Sequence, residues 1–322
     1  MSSPRVWTIR RCVPTRSETT KREPVLDSVI IAAYGEHMDF GIVQFTSDRG
    51  VLPHVLAPLI EAAGFGSYFV PEHGHIPTRR DAAHPQTGDS SLPDDRYMRT
   101  LDPWTSLAAA AAVTERIRLA TAVALPVQSD PITLAKTLAT LDHISGGRVS
   151  LGVGFGWNLD ELGDHGVPAG RRRTMLREYL EAMRALWTEG EASYHGEFVD
   201  FGSSWAWPKP PQGTLPTLVG AAGTAKNFRW ITRSADGWIT TPGESDIEGS
   251  VALLRSIWAD GGREGEPQIV VLDVKPVADR LDRWREIGVG TVLYGVPDDS
   301  VQRATDYLAR LADKVGITPA LR

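Results

Sequence analysis

The sequence predicts an α/β chain folded as a (β/α)8 TIM barrel, and three observations support this prediction. From Met38 onward, short β-rich segments alternate with helical segments, and eight such pairs can be counted. Because helices and strands alternate, consecutive strands must run parallel, with right-handed crossovers. The strand that starts at Asp39 is not followed by the G-x-G-x-x-G turn that a dinucleotide-binding doubly wound sheet requires. The doubly wound sheet is therefore the weaker alternative.

The first half of the chain supplies four strands, separated by helices with clear start and stop residues. Gly64 follows the first helix, Asp102 is the expected N-cap of the second, and Gly146 ends the third. The predicted strands are Asp39–Phe45, Ser67–Val70, Ile117–Leu125 and Val149–Gly154, and the predicted helices are Val51–Ala63, Pro103–Thr114 and Pro131–Ser145.

The second half repeats this alternation around one insertion. A long helix, Gly170–Glu189, precedes an excursion at Ser193–Phe201, which a Pro-rich link closes. We expect this insertion and the long polar loop 79–99 at the carboxyl-terminal face of the barrel, where they would form the substrate pocket. The remaining predicted strands are Thr217–Gly220, Gly237–Thr241, Gln268–Leu272 and Gly290–Tyr294, and the remaining helices are Thr224–Ser234, Asp246–Asp260, Val277–Ile287 and Asp298–Lys314.

The composition narrows the class of partner. A net charge of −6 argues against nonspecific binding of nucleic acid, which needs a concentrated positive field. The only dense basic run, Arg171–Arg173, is typical of a solvated helix start. No segment approaches the roughly 20 apolar residues that cross a bilayer, so no membrane association is expected. A small organic molecule is the expected substrate, and a homodimer is plausible.

The single cysteine, Cys12, excludes a disulfide framework and a cysteine-based metal site, so a reducing, cytoplasmic location is predicted. Residues 1–37 mix Arg, Thr, Ser and Pro before a short apolar run, which Asp27 separates from any basic region. We interpret them as a poorly ordered N-terminal extension. Residues 38–322 are predicted to form one barrel domain.

Barrel enzymes carry their chemistry where the strands end, and the second strand ends in Glu72, His73 and His75. A histidine beside a carboxyl group can act as acid or base, bind a metal, or cap a loop. The other histidines show no paired spacing, so no metal site is expected. Glu72 and His73 are therefore candidate catalytic residues, with loop capping as the alternative.

A second candidate site lies at Gly220–Thr224, where a strand leads directly into a helix. Free N–H groups and the helix dipole at such a position bind phosphate, although a bare tight turn would have the same sequence. The sequence contains no G-x-S-x-G, P-loop or H-E-x-x-H motif, so hydrolysis by these routes has no support. A flat, phosphorylated cofactor such as a flavin suits these features.

Ordered blocks of the chain resemble the luciferase-like monooxygenase superfamily, in particular its branch dependent on coenzyme F-420 (F420). They extend from Met38 to about Gly243. The blocks are VPEHGHIP, IRLATAVALPVQSDPITLAKTLATLDHISGGRVSLGVGFGWN, DELGDHGVP, EYLEAMRALW, YHGEFVDF, WPKPPQ and TLVGAAGTAKNFRWITRSADGWI. The resemblance implies a bacterial luciferase-like TIM barrel with insertion segments at the carboxyl-terminal face.

The resemblance also implies a cofactor site. A non-proline cis peptide is expected at Ala122–Val123, behind the cofactor ring, and His73 is expected near the reacting face. The other implied cofactor contacts fall into three groups, which are Thr121, Ala122 and Val123 at the ring, Gly154, Gly156, Trp157 and Asn158 at the side chain, and Gly220, Ala222, Gly223 and Thr224 at the phosphate.

The implied activity is F420-dependent hydride transfer to or from an organic substrate. An FMN-dependent monooxygenase that uses reduced flavin and oxygen is the first alternative, and a non-catalytic, ligand-binding barrel is the second. The sugar-phosphate dehydrogenases of the superfamily carry a catalytic Glu after the glycine of the fourth strand, and Phe155 stands there in this sequence. The resemblance therefore argues against a sugar-phosphate substrate.

Overall fold

The structure is a computed structural model, and it describes residues 38–317 with the exception of Val274. The predicted extension at residues 1–37 and Cys12 lie outside the described residues. The eight-stranded closed parallel barrel confirms the predicted fold. The barrel strands are β1 (Asp39–Val43), β2 (Ser67–Val70), β3 (Arg118–Thr121), β4 (Val149–Gly154), β7 (Thr217–Gly220), β8 (Gly237–Ile239), β9 (Gln268–Asp273) and β10 (Thr291–Gly295). Neighbouring barrel strands pair in the order β1-β10-β9-β8-β7-β4-β3-β2.

The insertion forms a separate antiparallel hairpin of β5 (Ala192–His195) and β6 (Asp200–Ser204). Helices surround the barrel, and most begin at a side-chain cap, as Asp102 shows by accepting a hydrogen bond from Thr105 N. The helices are α1 (Pro53–Ala62), α2 (Pro103–Ala111), α3 (Pro131–Ser145), α4 (Leu159–Asp164), α5 (Arg172–Thr188), α6 (Ala225–Ser234), α7 (Ile247–Asp260), α8 (Ala278–Glu286) and α9 (Val301–Val315).

Alternation along the strands divides the apolar side chains into two sets. One set faces the helices. The other fills the barrel interior, where Phe69, Ala120, Leu218, Ile239, Val270 and Leu293 form a separate buried cluster. The interior is thus a packed core, and ligands must bind above it, at the carboxyl ends of the strands.

One strand was predicted too long, and one helix was not predicted. The strand predicted at Ile117–Leu125 ends at Thr121, because the chain turns at a cis Ala122–Val123 bond and then enters a 3-10 turn at Pro126–Gln128. The segment after β4, which we did not assign to any element, forms α4 with Asn158 as its N-cap. Both differences lie at the carboxyl end of the barrel.

In the described part of the chain, no helix has both the length and the apolar character needed to span a bilayer. Within residues 38–317, apart from Val274, no group of three or more His, Cys, Asp or Glu side chains is placed to hold a metal ion.

Candidate functional site

An apolar floor closes the carboxyl-terminal mouth of the barrel. It consists of Val43, Ala122, Val123 and Leu272, which are partly exposed and pack on the interior cluster. All four lie at or just beyond the ends of strands β1, β3 and β9. A flat apolar ring could rest on such a surface and bury its own apolar area.

Two of the glycines that we assigned to cofactor binding leave the space that the side chain of Val123 occupies. A Cβ on Gly154 would lie 2.6 Å from Val123 Cγ2, and one on Gly220 would lie 2.6 Å from Val123 Cγ1. These distances are shorter than a carbon contact allows, so only glycine at the ends of β4 and β7 admits the valine. Gly154 and Gly220 therefore shape the floor through Val123.

The cis peptide expected at Ala122–Val123 is present, and backbone contacts hold the segment on both sides. Ala122 N donates to Val70 O over 2.9 Å, and Gly154 N donates to Ala124 O over 2.9 Å. Beneath the floor, the buried Thr121 hydroxyl donates to Gly152 O over 2.6 Å. Thr121 supports the floor by joining β3 to β4, and its hydroxyl is not available to a ligand.

Glu72 holds the same segment from the side of β2. Its backbone N–H donates to Val123 O over 3.1 Å, and its carboxyl group accepts from Leu125 N over 2.6 Å. Burial raises the pKa of Glu72 to about 7, although the hydrogen bond from Leu125 opposes this effect. The loop-capping alternative thus describes the contacts of Glu72, and a catalytic role for it stays a prediction.

His73 lies next to a carboxylate that we did not select from the sequence. Its Nδ1 lies 2.9 Å from Glu161 Oε2, and Gly74 N donates to Glu161 Oε1 over 3.2 Å. The side chain of Glu161 is fully buried, and that of His73 is 8% exposed. The helix α4 thus brings a buried carboxylate to a histidine 88 positions earlier in the chain.

An aromatic wall encloses the His73 ring. The ring centroids of Tyr97, Trp157 and Phe45 lie 5.5, 5.9 and 6.4 Å from it. His84 packs edge-on against both Tyr97 and Trp157. Burial lowers the pKa of His84, and repulsion from His73 adds to this effect. The wall limits the access of water to His73.

Phe155 takes no part in this wall. Its ring packs edge-on against Trp230 at 5.0 Å, and the guanidinium of Arg173 lies 3.9 Å above its centroid. Trp157 is the residue of the loop after β4 that faces His73. The preceding residue, Gly156, has a φ of +74° and lies against Leu162, so it sets the turn into α4.

At the predicted phosphate site after β7, a helix cap is present, but a carboxylate already contacts the backbone. Thr224 caps α6 by accepting from Asn227 N, as expected. Gly223 N, however, donates to the carboxylate of Glu244 over 3.1 Å. A Cβ on Gly223 would lie 2.2 Å from Ser250 Oγ, so this glycine also permits close packing against α7. Ala222 is exposed beside it.

The interpretation of the arginine run as solvated holds for Arg171 alone, which is exposed and pairs with Glu197. Arg172 and Arg173 are partly buried. Arg172 Nε donates to Phe155 O over 3.1 Å, and Arg173 donates to Asn227 Oδ1 over 2.9 Å. Because Asn227 lies in the first turn of α6, the start of α5 places positive charge beside the predicted phosphate site.

Asn158 and Gln128, near the mouth, have buried side-chain atoms without a hydrogen-bond partner among the described residues. Asn158 Nδ2 makes no hydrogen bond to the described residues, although Asn158 Oδ1 caps α4. The side-chain amide of Gln128 has no partner for either atom in the same part of the chain. Gln128 lines a cavity of about 420 Å³ between the start of α3 and the β5–β6 hairpin, together with Tyr179 and Phe198. Such unpaired groups commonly bind water or a ligand.

The predicted site residues therefore form two groups. Those from β2, β3 and β4 meet at the mouth, with Gly220 joining them through Val123. Ala222, Gly223 and Thr224 form a separate group at α6. The sequence analysis did not select Glu161, Arg173 or Glu244 as site residues. For Glu161, the available signal was the Asn158-x-x-Glu161 spacing, which is a capping-box signature.

Comparison with known proteins identifies similar chains. Residues 55–313 match the family model of the luciferase-like monooxygenases. An uncharacterized protein of Mycobacterium tuberculosis is 70% identical over 86% of this chain and 99% of its own length. The F420-dependent glucose-6-phosphate dehydrogenase of Nakamurella multipartita is 34% identical over 81% of this chain and 70% of its own length.

One solved structure shows how far the fold is shared. The monooxygenase RslO1 from Streptomyces bottropensis aligns with a TM-score of 0.68, covering 85% of this chain and 97% of RslO1 at 22% identity.

Proposed function

The chain belongs to the luciferase-like monooxygenase family, a group of flavin- or F420-dependent oxidoreductases and monooxygenases, and from this premise we propose that it is an F420-dependent oxidoreductase. The observation that carries the proposal is the apolar floor around Ala122–Val123, to which the backbone of Glu72, the residue before His73, is hydrogen-bonded. The floor offers a surface for a flat ring, and His73 offers a group that can move a proton next to that surface.

The residues at the mouth fit a cofactor of this kind. The apolar floor suits the ring, and the unpaired Asn158 Nδ2 is a buried donor available to a polar cofactor side chain. At the phosphate end, Arg173 and the first turn of α6 supply positive potential. The carboxylate of Glu244 occupies the Gly223 N–H and would have to move away.

When bound on the floor formed by Ala122 and Val123, F420 would supply hydride transfer to or from a substrate carbon. Oxidation of an alcohol to a carbonyl also releases the hydroxyl proton, and we assign His73 as the base that takes it. In the reverse direction, protonated His73 returns this proton to the carbonyl oxygen. The aromatic wall of Phe45, Tyr97 and Trp157 keeps water from competing with the substrate.

Sequence similarity favours F420 over FMN. The dehydrogenase of Nakamurella multipartita, which is 34% identical, is F420-dependent by name. FMN stays the alternative cofactor, because the family model that the chain matches is that of the luciferase-like monooxygenases. A sugar phosphate is not the proposed substrate, because Phe155 stands where the resemblance places a catalytic Glu.

Titration of the purified protein with F420 and, separately, with FMN tests the proposal through cofactor fluorescence. We expect saturable quenching of F420, and Ala122→Trp should abolish it, since a Trp there would cover the floor. Ala112→Trp is the matched control, because Ala112 is exposed at the end of α2, next to the opposite end of the barrel. Tight binding of FMN without a response to F420 would refute the proposal.

A further inference from the structure

We infer that Glu161 is a positioning residue, which fixes the protonation and orientation of His73 so that Nε2 is the atom available to substrate. This inference rests on the proposed function, in which His73 moves a proton. It also makes a claim about the cofactor-free protein, because the contact between Glu161 and His73 is present without any ligand.

The carboxylate of Glu161 does not form the capping-box contact that its sequence position predicts. In an N-terminal capping box, the Glu three residues after the cap bonds back to the N–H of the cap residue. Asn158 and Glu161 have this spacing, and Asn158 Oδ1 does accept from Glu161 N. In the described part of the chain, however, the Glu161 carboxylate accepts only from His73 and Gly74.

Burial of the Glu161 carboxylate has a cost in stability that its hydrogen bonds must offset. A carboxylate with no exposed surface is strongly destabilising unless it is paired and hydrogen-bonded. The carboxylate of Glu161 is fully buried and has two partners in the loop after β2, Gly74 N and His73 Nδ1. A carboxylate can only accept hydrogen bonds, so Nδ1 must carry a proton in this contact. Neutral His73 then has its free lone pair on Nε2.

The Nε2 edge of the His73 ring has a different environment. No described residue forms a hydrogen bond with His73 Nε2. Phe45, Tyr97 and Trp157 surround the imidazole, and the two donors among them, the Tyr97 hydroxyl and the Trp157 indole N–H, leave the Nε2 lone pair unbonded in the described structure. An Nε2 lone pair in an aromatic enclosure at the barrel mouth is suited to receive a proton from a substrate hydroxyl.

A matched control lies one turn away in the same elements. Asp164 of α4 contacts His75 of the β2 loop, and its Oδ2 lies 2.9 Å from His75 Nε2. This pair has the same chemistry and distance, but its side chains are 62% and 41% exposed. If α4 only anchored the loop, loss of either carboxylate would have similar effects on His73.

The test is ¹⁵N NMR of the histidine side chains in the cofactor-free protein, above the pH at which histidine is charged. We compare wild type, Glu161→Leu, Glu161→Asp and Asp164→Leu, and assign the His73 signal by its loss in His73→Gln. Wild type and Asp164→Leu should show His73 protonated on Nδ1 alone. Glu161→Leu should show a mixture of both tautomers, and Glu161→Asp should restore the Nδ1 form at least in part.

An unchanged His73 tautomer in Glu161→Leu, or an Nε2-protonated wild type, would overturn the inference. If Glu161→Leu does not fold, the tautomer in wild type and in Glu161→Asp still decides the question. These outcomes do not depend on F420, so failure of the proposed function is seen separately, as wild-type protein that binds no F420.

Turnover provides the second readout, with F420 and any alcohol that the wild type oxidises. Glu161→Leu should lower kcat on the order of 10- to 100-fold, by analogy with metal-binding histidines that lose the partner which orients them. KM should change less than about threefold, because the floor is intact. In a His73→Gln background, Glu161→Leu should have no further effect on kcat. An additive loss there would contradict a role through His73.

Discussion

Glu72 gives the structure a stability that depends on pH, and Glu72→Gln should remove this dependence. Glu72 is only 9% exposed, and burial raises the pKa of its carboxyl group from 4.5 to about 7. Gln has nearly the same shape, and its Oε1 can still accept the hydrogen bond from Leu125 N. The substitution therefore removes the charge and keeps the contact that holds the loop after β3.

The direction in which wild-type stability changes with pH follows from proton binding by Glu72. Below pH 4.5, Glu72 is protonated in the folded and unfolded states, and the variant should match wild type. Between pH 4.5 and about 7, the unfolded chain loses the proton while the folded protein keeps it, so wild-type stability falls as pH rises. Above pH 7, the difference between the two pKa values corresponds to roughly 3 kcal/mol of free energy of unfolding that wild type has lost. The variant has no such loss.

Thermal unfolding of both proteins from pH 4 to pH 8 measures this difference. We expect nearly equal melting temperatures at pH 4 and a variant about 6 °C more stable at pH 8, taking about 2 °C per kcal/mol for a chain of this size. Glu189→Gln, at an exposed carboxyl group after α5, should show no such trend. A difference that does not change with pH, or a variant less stable at pH 8, would refute the reasoning.

Two further predictions concern the cofactor site. Gly154→Ala should lower F420 affinity on the order of 10-fold and the free energy of unfolding by about 1–3 kcal/mol, because the new Cβ displaces Val123. The control Gly163→Ala, with no atom within 4 Å of its Cβ, should leave affinity unchanged and stabilise α4 slightly; equal affinities for the two variants would contradict the role of the floor. Glu244→Ala should tighten F420 binding by about 10-fold, because it frees Gly223 N–H and removes a negative charge. A deazaflavin that lacks the phosphate should bind both proteins equally, and a parallel gain for it would place the phosphate elsewhere.

The sequence predicted the barrel because its signals are local and repeated. Pro131 at the start of α3 and Gly146 at its end gave the bounds of that helix, since each residue restricts the backbone at its own position. β2, β4 and β7 were also predicted with their observed bounds, as short apolar runs between turn residues. Strand β3 was predicted too long, because its apolar run continues beyond Thr121 into the mouth of the barrel.

The candidate site was less predictable, because its key contacts join distant parts of the chain. The resemblance supplied His73 and the cis bond at Ala122–Val123, but no local pattern shows that Glu161 reaches His73. The same limit applies to Glu244, whose carboxylate meets Gly223 N across two loops. The arginine run illustrates the opposite error, since a charged helix start is usually solvated, whereas here packing on Phe155 partly buries Arg173.

The central claim is that F420 binds at the barrel mouth, on the floor formed by Val43, Ala122, Val123 and Leu272. The most direct measurement is a crystal structure of the protein with F420. We predict that the deazaflavin ring contacts Ala122 and Val123 and that the phosphate lies at the start of α6. A ring bound away from these residues, for example in the cavity lined by Gln128, would contradict the account.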